Sequence, residues 1–231
     1  SPAYVEMATI RAPGPRITTV DGESSNLGSN GISMALDSAG NQHISYYNAS
    51  ASSLMYARYN GASWQTEEVD NWGSSGTYSS IAIDPSGNPH ISYVNTTTYP
   101  VSVMYAHHNG TAWTTEAIDA TPYYAYDTSI DLDSTGNPHI SYAVYNNTGG
   151  SYNLRYSYHN GSEWVYDDIK DYRSSYWNSY VNTGKNSQIK LNSTDVPHVV
   201  FYDDYYDDVY LSVMINGTWS SSSVDDYGGL Y

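Results

Sequence analysis

The sequence predicts an all-β chain: a β-propeller of four four-stranded antiparallel blades with an extra N-terminal hairpin. The first observation behind this is a repeated string. GNPHISY stands at Gly87–Tyr93 and Gly136–Tyr142, GNQHISY at Gly40–Tyr46, and a degenerate DVPHVVFY at Asp195–Tyr202. The second is that three markers advance together. His43, His90, His139 and His198, then Trp64, Trp113, Trp164 and Trp219, then Asn-Gly steps at Asn60, Asn109, Asn160 and Asn216 recur every 47 to 59 residues. The third is composition. The chain has 27 Tyr against one Phe, with abundant Ser, Thr, Val and Ile, types that suit pleated, half-buried surfaces. No long window carries helical periodicity. A period of this length, with four strand-like runs and no helix, is that of a propeller blade.

Taken in order, VEMATI (Val5–Ile10), APGP and RITTVD (Arg16–Asp21) read as the outer hairpin of one further blade, RITTVD matching the later WTTEAID. Residues 1–31 thus form a candidate strand donor, with Val5, Met7, Ile10, Ile17 and Val20 as its assembly residues. Residues 32–231 form the propeller, in units 32–70, 79–119, 128–170 and 187–226. The second unit shows the parts. SSIAID (Ser79–Asp84) alternates small and apolar residues as an inner strand, and PSGN (Pro85–Asn88) is turn chemistry with Gly free to take positive φ. PHISYV (Pro89–Val94) is the second strand, its opening Pro suited to a first strand position. VMYAHH (Val103–His108) is the third, Asn109-Gly110 is a strong hairpin signal, and AWTTEAID (Ala112–Asp119) is the outermost strand. The fourth unit is degenerate: Asn192 replaces the turn Asp and Asp195-Val196 replaces Gly-Asn. Both ends of the chain finish on outer strands, so the strands do not balance for ordinary ring closure.

These blades, of the form S-I-A-x-D-x-x-G-N-P-H-I-S-Y followed by an Asn-Gly turn and Trp, resemble those of bacterial and archaeal surface β-propellers over residues 32–226. The resemblance implies the fold and says little of function, because propellers host lectins, enzymes and scaffolds alike. The Asp-x-x-Gly-Asn turn is similar to the Asp-box of sialidases without its Trp spacing, so sialidase activity is not carried over.

Charge and motifs narrow the function. The net charge is −16 with eight Lys plus Arg, which leaves no basic face for nucleic acid or an anionic membrane surface. No stretch reaches the roughly 18 apolar residues of a membrane span. Cysteine is absent, so disulfides and thiolate sites are excluded. Sequons at Asn48, Asn95, Asn109, Asn146, Asn160, Asn192 and Asn216, and a start at Ser-Pro-Ala, lead to the expectation of an exported, glycosylated cell-surface protein in mature form.

Four copies of one His on one strand give four separate environments, whereas catalysis needs unlike residues converging. The His and Trp series are therefore expected to be structural, with Trp packed between blades, and Asp37, Asp84 and Asp133 to cap turns. The acidic stretch Asp203–Asp208 offers oxygen ligands to Ca²⁺ but lacks calcium-loop spacing, so a solvated loop is expected and no metal or cofactor. Without a Ser-His-Asp ordering, paired Glu, P-loop or dinucleotide fingerprint, no enzyme is expected. Loop tyrosines such as Tyr99, Tyr123 and Tyr124 exceed core needs and add an adhesive surface. The leading expectation is a non-enzymatic extracellular structural protein that forms homo-oligomers or homopolymers, a surface filament among them, through its N-terminal strands and Tyr-rich surface. The alternative is a lectin with carbohydrate sites between blades.

Overall fold

The computed structural model describes residues 19–22, 27–146, 151–170, 183–203 and 207–224. Sixteen strands fall into four antiparallel sheets, each a meander in chain order. Blade 1 comprises β1 (Leu27–Leu36), β2 (Gln42–Asn48), β3 (Ser53–Tyr59) and β4 (Trp64–Asp70). Blade 2 comprises β5 (Ser75–Ile83), β6 (Pro89–Asn95), β7 (Ser102–His108) and β8 (Trp113–Asp119). Blade 3 comprises β9 (Tyr124–Leu132), β10 (Pro138–Asn146), β11 (Ser151–His159) and β12 (Trp164–Lys170). Blade 4 comprises β13 (Thr183–Leu191), β14 (Pro197–Asp203), β15 (Asp208–Ile215) and β16 (Thr218–Ser223).

The all-β, four-bladed expectation holds, with one systematic difference. Each inner strand starts about four residues ahead of the repeat unit drawn from the sequence. The cause is a positive-φ residue at a matching place in every inner strand: Gly31, Tyr78, Asp127 and Asn186. There the register slips, so the alternation that reveals the strand restarts after it. At Gly31 the requirement is also spatial, since a Cβ would meet the backbone nitrogens of Tyr78 and Ser79 at 2.8 Å. The assembly residues Val5, Met7, Ile10 and Ile17 lie outside the described residues, whereas Val20 packs over Ile44 and Tyr46 of blade 1.

The core is a series of joints between blades. Leu54 and Tyr56 of blade 1 pack on Ile81, Ile91, Tyr93 and Met104 of blade 2. Val94, Val103 and Tyr105 pack on Ile130, Ile140 and Tyr142 of blade 3. Leu154 and Tyr156 pack on Ile189, Val199 and Phe201 of blade 4. Each such side chain, fully buried, stabilises the fold by roughly 1.5–3 kcal/mol. Neighbouring inner strands touch in the order β1, β5, β9, β13, and no comparable packing among the described residues leads from β13 back to β1. The four blades form an open arc. Among the described residues the four blades do not close into a ring.

Polar joints reinforce the apolar ones. Tyr93 donates its hydroxyl proton to Asp70 at 2.7 Å, and Tyr142 donates to Asp119 at 3.2 Å. Arg155 adds a buried ion pair, donating to Asp119 at 2.7 Å and to Asp168 at 2.8 Å, and these carboxylates hold it firmly protonated. Replacing Asp119 by Ala leaves the buried guanidinium with Asp168 alone and the Tyr142 hydroxyl with Ser157 alone, with an expected loss of about 3 kcal/mol. Asp70→Ala strands one hydroxyl and should cost about 1–3 kcal/mol. Urea unfolding followed by Trp fluorescence measures both. Equal losses would remove the buried Arg155 as the deciding group.

Candidate functional site

The repeated histidines sit at the joints, and their partners define them. The Tyr56 hydroxyl meets His43 Nδ1 at 2.6 Å, Tyr105 meets His90 at 2.5 Å, and Tyr156 meets His139 at 2.5 Å. On the other ring nitrogen, Asp37, Asp84 and Asp133 stand 3.5, 3.7 and 3.8 Å away. These aspartates are held by their own turns: Asp37 accepts from Asn41 N at 2.8 Å, Asp84 from Asn88 N at 2.7 Å and Asp133 from Asn137 N at 2.8 Å. In blade 4 the tyrosine is replaced by Leu211, and His198 Nδ1 turns to the Val196 carbonyl at 3.0 Å.

The tyrosine of each pair continues outward to the next blade. Tyr56 packs edge-on against Trp113 with ring centres 5.2 Å apart, Tyr105 against Trp164 at 5.2 Å, and Tyr156 against Trp219 at 5.1 Å. Trp64, in the first blade, lies against Tyr59 and packs on the cluster of Ile44, Tyr46 and Ala57 instead.

Above these shared parts, a cleft opens between blades. The one between blades 1 and 2 encloses about 290 Å³ and is lined by Tyr56, Arg58, Gln65, Glu67, the turn Ser86–Pro89 and His108. Strand register explains the grouping: Tyr56 lies opposite Glu67 and Arg58 opposite Gln65, so all four side chains leave the same face. The Glu67 carboxylate accepts the Trp113 indole N–H at 3.0 Å, which fixes it at the rim. Exposed Arg58 supplies fixed donors beside that acceptor. The cleft between blades 3 and 4 encloses about 400 Å³, with Tyr158, Tyr166, Asp167 and Asp195 on its walls. Tyr158 stands where Arg58 stands and Asp167 where Glu67 stands, and the Arg155 guanidinium lies 5.0 Å from the exposed Tyr166 ring. The joint is thus constant while the cleft residues vary.

On the axis, a funnel of about 250 Å³ is lined by inner-strand hydroxyls and amides, including Ser33, Ser80, Thr128, Ser187 and Gln188, with Asp127 as its carboxylate. Tyrosines do gather, although Tyr124, expected in a loop, opens β9: Tyr99 and Tyr123 of the loops with Tyr124, Tyr126, Tyr145 and Tyr152 of the strands form a continuous network with neighbouring ring centres 4.8–6.4 Å apart.

The sequons divide by burial. Asn95 is 2% exposed, and its amide nitrogen donates to Trp72 O at 3.0 Å and Ser75 Oγ at 2.7 Å. Asn48 is buried too, its side-chain oxygen accepting from Ser50 N and Ala51 N. The expectation of glycans at these two is corrected: the folded blade has no room for one at either. Asn109, Asn160, Asn192 and Asn216 occupy exposed turns, and the side chain of Asn146 lies outside the described residues. Of the acidic stretch, Asp203 is buried, Tyr202 donates its hydroxyl to Asp207, and residues 204–206 lie outside the described residues.

No protein-family model and no curated protein sequence matches the chain. Among solved structures it is similar to the GH93 α-L-arabinofuranosidase of Fusarium graminearum, with TM-score 0.60 and 12% identity over 83% of this chain and 65% of that one. It is also similar to the α-L-arabinanase of Penicillium chrysogenum (TM-score 0.61, 9% identity, 83% and 65%). A third is the Aleuria aurantia lectin, in complex with Fucα1-6GlcNAc (TM-score 0.55, 11% identity, 84% and 64%). The chain spans about two-thirds of the length of these neighbours. The likeness establishes the β-propeller fold. It overturns the expectation that no enzyme is at hand, because two of these neighbours are enzymes. Missing linear motifs were a poor ground for that exclusion, since an arc of blades brings together residues far apart in sequence. The neighbours lend no support to a surface filament.

Burial pushes all three joint histidines below the usual imidazole value, His90 to about 4. They are neutral in the fold at pH 7. The unfolded chain takes protons first as pH falls below about 6.5, so their contribution is complete above that pH and drains away toward pH 4. For His90 alone the full effect is about 3 kcal/mol. Turn hydrogen bonds hold the carboxyls of Asp37 and Asp133 at about 2, so a second loss follows as pH falls from 3.8 toward 2. Urea midpoints measured from pH 7 to 3 should decline in these two stages. A flat profile between pH 7 and 4 would contradict the neutral, buried imidazoles.

Proposed function

We propose that the protein binds neutral carbohydrate in the clefts between adjacent blades. The observation that carries this is the cleft of blades 1 and 2, where Arg58 and Glu67 leave one face beside the Tyr56–Trp113 aromatic pair. A sugar ring offers adjacent hydroxyls, each both donor and acceptor, and an apolar face of C–H groups. The guanidinium donates in its plane, the carboxylate accepts, and aromatic side chains supply the apolar wall with polar tips. At the cleft of blades 3 and 4 the emphasis shifts to stacking, with Tyr158 as the flat surface and Asp167 and Asp195 as acceptors. A net charge of −16 disfavours acidic sugars.

Two further observations support the reading. Cleft residues vary from joint to joint on an unvarying frame, which is how binding sites are grafted onto repeats. The architecture is also shared with a lectin seen with a fucosylated disaccharide and an arabinanase seen with arabinobiose. The self-assembly expected from the sequence concerns other surfaces, the N-terminal strands and the tyrosine-rich surface.

Titrating a panel of neutral methyl glycosides and disaccharides should change Trp fluorescence, because Trp113 contacts Glu67 at the cleft rim. Arg58→Ala and Glu67→Gln should each weaken binding at that cleft by roughly tenfold or more, as lost charge-assisted hydrogen bonds do. Tyr158→Ala should weaken only the second cleft. No binding by any member of the panel, or binding indifferent to all three changes, would end the proposal.

A further inference from the structure

Each of the three joints inside the chain carries a hydroxyl pair beside the axis. Ser45 meets Ser79 at 3.1 Å, Ser92 meets Thr128 at 2.8 Å, and Ser141 meets Ser187 at 3.1 Å. The first member lies on a blade's second strand and the second on the next blade's inner strand. On the two end faces the corresponding places are held by Val200 of β14 and Ile32 of β1. Both hydroxyls have become aliphatic at once. A change on one side alone would bury a hydroxyl with nothing to bond, whereas a matched change leaves an apolar contact in its place.

The surrounding positions follow the same logic. On the far face of blade 4, Val209 stands where Leu54, Val103 and Leu154 stand in the other blades, and Leu211 replaces the joint tyrosine. Leu54, Val103 and Leu154 are fully buried, yet Val209 is 40% exposed, Val200 37% and Val224 61%. On the near face of blade 1, Ile32 is 67% exposed, Met34 62% and Leu36 57%. Met34 corresponds to Ile81, Ile130 and Ile189, all of which a preceding blade covers. An arc that ends in two complementary apolar faces is incomplete at both ends.

We propose that these end faces join: blade 4 of one copy packs on blade 1 of a second copy, through a joint built like the three within the chain. The second copy is the occupant because the two faces complement each other position by position, aliphatic against aliphatic where every internal joint is polar. One local exchange accompanies the contact. Val20 and Asp21 lie on blade 1 much as Val69–Asp70 and Ile118–Asp119 lie on the blades that follow them, and Tyr46 donates to Asp21 at 2.9 Å as Tyr93 does to Asp70. Val224, just after the incoming β16, claims that seat, so Val20 and Asp21 give it up. Because the two faces lie at opposite ends of the arc, the contact is head-to-tail and propagates.

Sedimentation velocity of the full chain over a concentration series tests the joint. The wild type should associate with rising concentration. Ile32→Ser and Val200→Ser should each weaken association by roughly tenfold, since each opposes a hydroxyl to an aliphatic group. The double variant should recover most of the loss, because the two hydroxyls then pair as Ser45 and Ser79 do. A wild type that stays monomeric at its highest soluble concentration, singles that associate like the wild type, or a double that recovers nothing would each overturn the proposal. A second measurement does not depend on affinity. The chain has no cysteine, so Ile32→Cys with Val200→Cys reports one contact. Mild oxidation should give a ladder of linked chains on a non-reducing gel. A monomer cross-linked within itself would show instead that the arc closes on its own ends, and an unlinked chain that some other partner covers them.

Discussion

The structure depends on one tyrosine per joint. Tyr56, Tyr105 and Tyr156 each bond the histidine of their own blade and press edge-on against the tryptophan of the next. A single side chain thereby couples strand to strand within a sheet and sheet to sheet across a joint. Its hydroxyl is buried, so the histidine must be there to meet it, and the histidine must be neutral to be buried at reasonable cost. The turn aspartate completes the set by capping the loop that starts the histidine's strand. This explains why the string around the histidine is the most uniform in the chain. Where the tyrosine is lost, at Leu211, the turn drifts from the pattern too, and the joint beyond it is absent.

Function and frame use different residues of the same strands. Along the third and fourth strands of each blade the side chains at the joint are constant, while two residues beyond the joint tyrosine Arg58 gives way to His107 and then Tyr158. Glu67 keeps its acid in Glu116 and Asp167, but only Glu67 receives the indole proton of the facing tryptophan, because Trp164 and Trp219 leave theirs without a partner. Each cleft therefore offers different chemistry from an equivalent position. That division suits recognition of related but unequal ligands.

Much of this was legible in advance, for local reasons. Asp-x-x-Gly-Asn turns, Asn-Gly hairpins and two-residue alternation act within a few residues, so strand order and blade number followed from the repeat. The start of each inner strand was less legible, because Tyr78, Asp127 and Asn186 adopt positive φ without being glycine, and no local rule marks them. The burial of Asn95 was hidden for a related reason: its sequon is local, but the groups that claim its amide, Trp72 and Ser75, lie on an earlier turn and strand. Arg155 gave no signal at all, since its partner Asp119 stands in another blade. The cleft residues Arg58 and Glu67 could have been found by comparing equivalent positions between repeats and asking which ones fail to repeat.

By itself the sequence determined the units: sixteen strands in four meanders, each with its capped turn, its histidine and its outer tryptophan. These follow from backbone preference and side-chain period, which act over short separations. Only the tertiary structure decided how the units stand to one another. The angle between blades comes from how Leu54, Tyr56 and their counterparts fill the joints, and summed over three joints it leaves an arc instead of a ring. That is a property of packing between residues of different blades, far apart in sequence. It turns Ile32 and Val200 from ordinary members of a repeat into the exposed ends of an arc.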